Sequence, residues 1–147
     1  MSCAVKLRER GYKGSITLIG DEPHLPYQRP PLSKKYLTGE MDKDRLLLRP
    51  PEWFRDHDVA CLTGQRVTAI DRAAKTVTLA SGSTLAYGRL LIATGCTPRR
   101  LPEAMTAGLA GIYTVRNISD IDALMPSFRP GARLVVTGGG YIGLEAA

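Results

Sequence analysis

The sequence predicts an α/β fold built from dinucleotide-binding units, and three observations point there. Short β-branched apolar runs alternate with segments of helical composition along the chain. Two runs of strand period, Val67–Arg72 and Lys75–Leu79, follow each other closely as a meander. Finally, Leu134-Val135-Val136 leads into Gly138-x-Gly140-x-x-Gly143, and helix-forming residues continue behind it.

Taken in order, Cys3 to Arg10 suits the end of a helix with Gly11 as its cap, and Ile16–Ile19 a short buried strand. A proline-rich loop from Pro23 to Pro31 precedes a helical turn at Ser33–Leu37, and Pro51–Asp56 suits a short helix with proline in its first turn. After the meander and a turn at Ser81-Gly82-Ser83, Tyr87–Gly95 reads as a buried strand ending in a glycine turn. Ile118–Met125 suits an amphipathic helix stopped by Pro126, and Arg133–Val136 the strand that opens the last unit.

In the terminal motif each glycine has a physical task. Gly138 permits the tight turn, Gly140 lets a pyrophosphate approach the backbone, and Gly143 lets helix pack on strand. A carboxylate that reads the ribose lies about 20 residues beyond such a loop. Asp21-Glu22, directly after a strand, matches that position, although a strand ending in two acids is also an ordinary turn. Counting back from Asp21 reaches Met1 before any glycine loop, and counting forward from Gly143 passes Ala147. The expectation is a truncated chain that runs from inside one dinucleotide unit to inside another.

Bulk properties remove other classes. The 147 residues are 44% hydrophobic and 23% charged, a globular composition. No apolar run approaches a membrane span and no secretory leader is visible, so a cytoplasmic location without membrane partners is expected. Net charge is +6, but basic residues are interspersed with acids, as in Lys6-Leu7-Arg8-Glu9-Arg10, and no nucleic-acid module is present. Cys3, Cys61 and Cys96 have no paired spacing, and with His24 and His57 they form no metal-ligand cluster. On residue types alone, Arg29-Pro30-Pro31 suits a polyproline linker, Ala93-Thr94-Gly95 a strand end and Arg116 a solvated loop cation.

Four blocks in order change that reading. Gly20-Asp21-Glu22-Pro23-His24-Leu25-Pro26-Tyr27-Gln28-Arg29-Pro30-Pro31-Leu32-Ser33-Lys34 resembles the flavin loop of the ferredoxin reductase branch of the FAD-dependent pyridine nucleotide–disulfide oxidoreductases. Leu91–Gly95, Tyr113–Asp120 and Gly138–Ala147 resemble that family's ATG segment, its L-R-T-x-x-D segment and its second glycine loop. Thr137 replaces an apolar residue often seen there, a conservative departure.

The resemblance implies an FAD/NAD(P)-binding fold of two dinucleotide domains, with the meander inserted in the first. Residues 1–130 would be a partial FAD-binding domain and 131–147 the start of the NAD(P)-binding domain. It implies Asp21 at the adenosine ribose, and Arg29 and Lys34 at the pyrophosphate or the isoalloxazine edge. Val67 would give backbone contacts near the adenine, Thr94 and Gly95 a close backbone approach, and Arg116 a further polar contact. Gly138, Gly140 and Gly143 would cradle NAD(P)H, with Glu145 on the nicotinamide side. The implied reaction passes electrons from NAD(P)H through FAD to a ferredoxin-type iron–sulfur protein, and no side chain serves as nucleophile or general base. The flavin-loop helix carries no cysteine pair, which disfavours a dithiol relay. A non-catalytic fragment of such an enzyme, inactive as an isolated chain, is the alternative expectation.

Overall fold

A computed structural model describes residues 1–146. Two compact units emerge, each built from two chain segments.

The first unit comprises Met1–Tyr27 and Leu47–Gly95. Helix α1, Ser2–Glu9, ends as the sequence predicts: the Gly11 amide donates to the Arg8 carbonyl and the Tyr12 amide to that of Leu7, both at 3.0 Å. Gly11 takes φ +77°, which closes the cap without a Cβ penalty. Strand β1, Ile16–Ile19, is also as expected and pairs in parallel with a strand the sequence reading passed over. That strand, β2 (Val59–Leu62), follows α2 (Pro51–Asp56) and aligns Ile16 with Val59 and Ile19 with Leu62. Ala4, Phe54 and Val59 form the buried centre, with Ile16, Leu18, Leu25, Trp53 and Cys61 packed around them.

Arg8 ties this layer together. Its guanidinium donates to the carbonyls of His57, Asp58, Tyr12 and Gly14 at 2.6–2.8 Å, joining the C-terminal ends of α1 and α2. The meander forms a second sheet in the order β3 (Val67–Asp71), β4 (Thr76–Leu79), β5 (Thr84–Ala86), all antiparallel. Val77 and Leu79 bury one face of β4. Asp71 closes the first turn by accepting from the Ala73 and Ala74 amides.

The second unit comprises Gln28–Leu46 and the chain from Cys96 onward. A 3₁₀ turn at Pro30–Ser33 packs against α4, Ile118–Leu124, and α5, Tyr141–Ala146; a short α3, Glu103–Thr106, precedes α4 within the second segment. Ile118, Ile121 and Leu124 recur at helical spacing and are buried, as are Leu32, Tyr36, Leu37 and Leu46. The chain passes Pro126 inside a 3₁₀ turn, Met125–Ser127, where the sequence predicts a stop.

Two expected strands do not form. Tyr87–Gly95 adopts no strand, and Leu91 and Ile92 are 68% and 65% exposed. Arg133–Val136 likewise adopts none, with Val135 88% exposed. The reason is pairing: a strand exists only against a neighbour, and no neighbouring strand lies beside either run among the described residues.

Candidate functional site

In the second unit, folding brings expected site residues from distant segments to defined partners. The Arg29 guanidinium donates to the Arg116 carbonyl at 2.8 Å, so these two residues meet through a side chain and a backbone oxygen. The Arg116 amide in turn donates to the Asp120 carboxylate at 2.9 Å. Asp120 and Asn117 form a reciprocal cap at the start of α4, with the Asp120 amide donating to Asn117 Oδ1 at 2.8 Å.

Lys34 and Glu145 are also brought together. Lys34 Nζ lies 3.1 Å from Glu145 Oε1, while the buried Ser33 hydroxyl donates to Glu145 Oε2 at 2.7 Å. The Ser33 hydroxyl first and the Lys34 ammonium second hold the Glu145 carboxyl below its ordinary pKa. The carboxylate is therefore fixed on both oxygens by the turn that carries Ser33 and Lys34.

Two glycines of the turn sit where a side chain would be strained or would clash. Gly138 sits at φ +119°, a conformation side chains rarely adopt. A Cβ on Gly143 would collide with the Gly138 carbonyl oxygen and press on Val136, so α5 leaves the turn closely only because this residue is glycine. A Cβ on Gly140 would meet nothing within 4 Å. That side of the turn is open.

The remaining expected residues lie in the first unit. Asp21 follows β1 and is paired with Arg66 at 3.0 Å, both side chains well exposed. Val67 opens β3 opposite Leu79 beside a register shift. Thr94 and Gly95 are exposed outside any strand, and Gly95 keeps the positive φ, +70°, expected of the turn.

Sequence reasoning passed over Ser33, Tyr36, Arg66, Asp120 and Asp122. Asn117-x-x-Asp120 ahead of an apolar run is a readable capping pattern. The contacts of Tyr36 and Asp122 join positions 86 apart and leave no local signal. The three cysteines are free, and burial pushes the Cys61 thiol up. Among the described residues no His, Cys, Asp and Glu group could hold a metal ion, and no helix is long and apolar enough to cross a membrane.

The chain is 44% identical over 144 residues to rhodocoxin reductase of Rhodococcus erythropolis, covering 98% of this chain and 34% of that protein. It is 44% identical over 145 residues to the 5,5'-dehydrodivanillate O-demethylase ferredoxin reductase subunit of Sphingobium sp. (strain NBRC 103272 / SYK-6), covering 98% of this chain and 35% of the relative. The reductase in the crystal structure of the covalent putidaredoxin reductase–putidaredoxin complex superposes with a TM-score of 0.89 at 40% identity, over 97% of this chain and 35% of that one. The chain thus spans about a third of the length of the relatives it matches, and it shares their α/β fold over that span. The family profile for pyridine nucleotide-disulphide oxidoreductases matches residues 1–147, and the chain belongs to that family.

Proposed function

We propose that this chain forms the FAD-facing part of a ferredoxin reductase, which takes electrons from NAD(P)H and delivers them through FAD to a ferredoxin-type iron–sulfur protein. The observation that carries this reading is the Ser33-Lys34-Glu145 cluster, which joins the flavin-loop turn to the helix behind the second glycine motif. When bound, the nicotinamide and the flavin supply the two-electron and one-electron chemistry. The chain supplies position and charge. Arg29 and Lys34 bring positive charge to the flavin side, Asp21 accepts from the ribose, and Val67, Thr94, Gly95 and Arg116 offer backbone and polar contacts. Gly138, Gly140 and Gly143 admit NAD(P)H, with Glu145 beside its nicotinamide end. Residues 1–130 then belong to the FAD-binding domain, and 131–147 open the NAD(P)-binding domain.

The test is reduction of cytochrome c by the purified protein with NADH or NADPH, with and without an added ferredoxin. Turnover that requires the ferredoxin is expected. Turnover with artificial dyes that no iron–sulfur protein accelerates would contradict the acceptor assignment.

A second reading, in which these 147 residues by themselves turn nothing over, is favoured by the exposure of Leu91, Ile92 and Val135. Flavin-dependent dye reduction by this chain alone would overturn it.

A further inference from the structure

Asp122 projects from α4 between two residues of the segment that follows the flavin-loop turn. Its Oδ1 accepts from the Tyr36 hydroxyl at 2.5 Å, and its Oδ2 faces Lys43 Nζ at 2.8 Å. Tyr36 is buried, with 5% of its surface exposed, and α4 is anchored beneath it by fully buried Ile121 and by Ile118. Asp122 therefore stands on the most firmly packed helix of its unit.

Tyr36 is coupled by backbone to the residues that hold Glu145. The amides of Lys34 and Tyr36 both donate to the Pro31 carbonyl at 3.0 Å, so the turn from Pro31 to Tyr36 is one hydrogen-bonded piece. Ser33 and Lys34 lie inside it. Fixing the Tyr36 ring at one end fixes the direction from which both reach the carboxylate of Glu145.

We propose that Asp122 is a positioning residue, holding the Ser33-Lys34 turn in register with Glu145 through Tyr36. In this role Asp122 acts through the tyrosine, whose hydroxyl it accepts from. Its consequence for the flavin rests on the function proposed above, whereas the positioning itself is a property of this chain.

The test compares Asp122→Ala, Asp122→Asn and Tyr36→Phe with the parent, without cofactor, by amide hydrogen exchange and by NMR titration of Glu145. Asp122→Ala is expected to speed exchange of the Lys34 and Tyr36 amides by about tenfold or more, and to move the Glu145 titration up toward its ordinary value. Removing a negative charge would by itself shift a neighbouring carboxyl downward, so an upward shift reports lost positioning. Tyr36→Phe should reproduce the effect, and Asp122→Asn, which keeps an acceptor for the tyrosine, should restore part of it. Folded Asp122→Ala or Tyr36→Phe protein with unchanged Glu145 titration would overturn the proposal, even if melting fell. Should Asp122→Ala not fold, Tyr36→Phe decides. Absence of flavin from the parent protein would count against the proposed function and leaves these readouts intact.

Discussion

The Ser33 hydroxyl meets the Glu145 carboxylate at 2.7 Å across 112 positions of sequence, and Lys34 takes the other carboxylate oxygen. This contact makes the Pro30–Lys34 turn and the helix after the glycine motif parts of one structure. Because the folded state favours the ionised carboxylate, the contribution is fully present above the ordinary glutamate value of 4.5 and is lost as pH falls through the lower folded value. Protection factors of the Leu32–Lys34 amides should hold from neutral pH down to that range and fall below it. Glu145→Gln should show weak protection at every pH with no step.

The last two glycines of the motif, Gly140 and Gly143, separate fold from ligand. Gly143→Ala forces a Cβ against the Gly138 carbonyl and Val136, and overpacking of that kind costs about 1–3 kcal/mol. Gly140→Ala meets open space and should cost about 1 kcal/mol or less as a helix cap change. Denaturant melts of both variants, paired with NAD(P)H titration of the protein, should show Gly143→Ala less stable. Gly140→Ala should be near parental in stability and weaker for the dinucleotide.

The α4 cap links Arg29 to the helix. Asn117→Ala removes the acceptor for the Asp120 amide, a loss of about 1 kcal/mol for an N-cap. Since Asp120 also holds the Arg116 amide, the contact of Arg29 with the Arg116 carbonyl should loosen. A fall in melting midpoint, together with broadening of the Arg29 Nε resonance, checks both parts.

Arg8 presents a planar fork to four carbonyls. Lysine keeps the charge but cannot reproduce that geometry. Arg8→Lys should destabilise the first unit by about 1–3 kcal/mol, read from hydrogen exchange in β1 and β2, and should leave exchange at α4 unchanged.

How much of this was legible in the sequence depended on range. Elements defined by local chemistry were readable: the Gly11 cap of α1, the β-branched run of β1, the Pro51 start of α2, the β3–β4 meander and the apolar spacing of α4. Strand β2 was not, because Val59-Ala60-Cys61-Leu62 is four residues long and owes its state to β1. Leu91–Ala93 and Leu134–Val136 carry strand composition without a partner beside them, so composition overstated them. At the candidate site the glycine pattern and the flavin-loop block were visible as residues. Their meeting at Ser33, Lys34 and Glu145 was not, since no periodicity encodes a contact between such distant positions. Arg29 likewise proved to grip the Arg116 carbonyl, and Asp21 to face Arg66, relations that tertiary packing alone decides.

The most direct measurement is the visible spectrum of the purified protein carrying this sequence, desalted, before and after anaerobic addition of NADH or NADPH. The account predicts near-stoichiometric FAD whose absorbance bleaches with one of the two dinucleotides, and weaker retention of flavin in Lys34→Met. A colourless protein that takes up no added FAD, or bound flavin that neither dinucleotide bleaches, would contradict it.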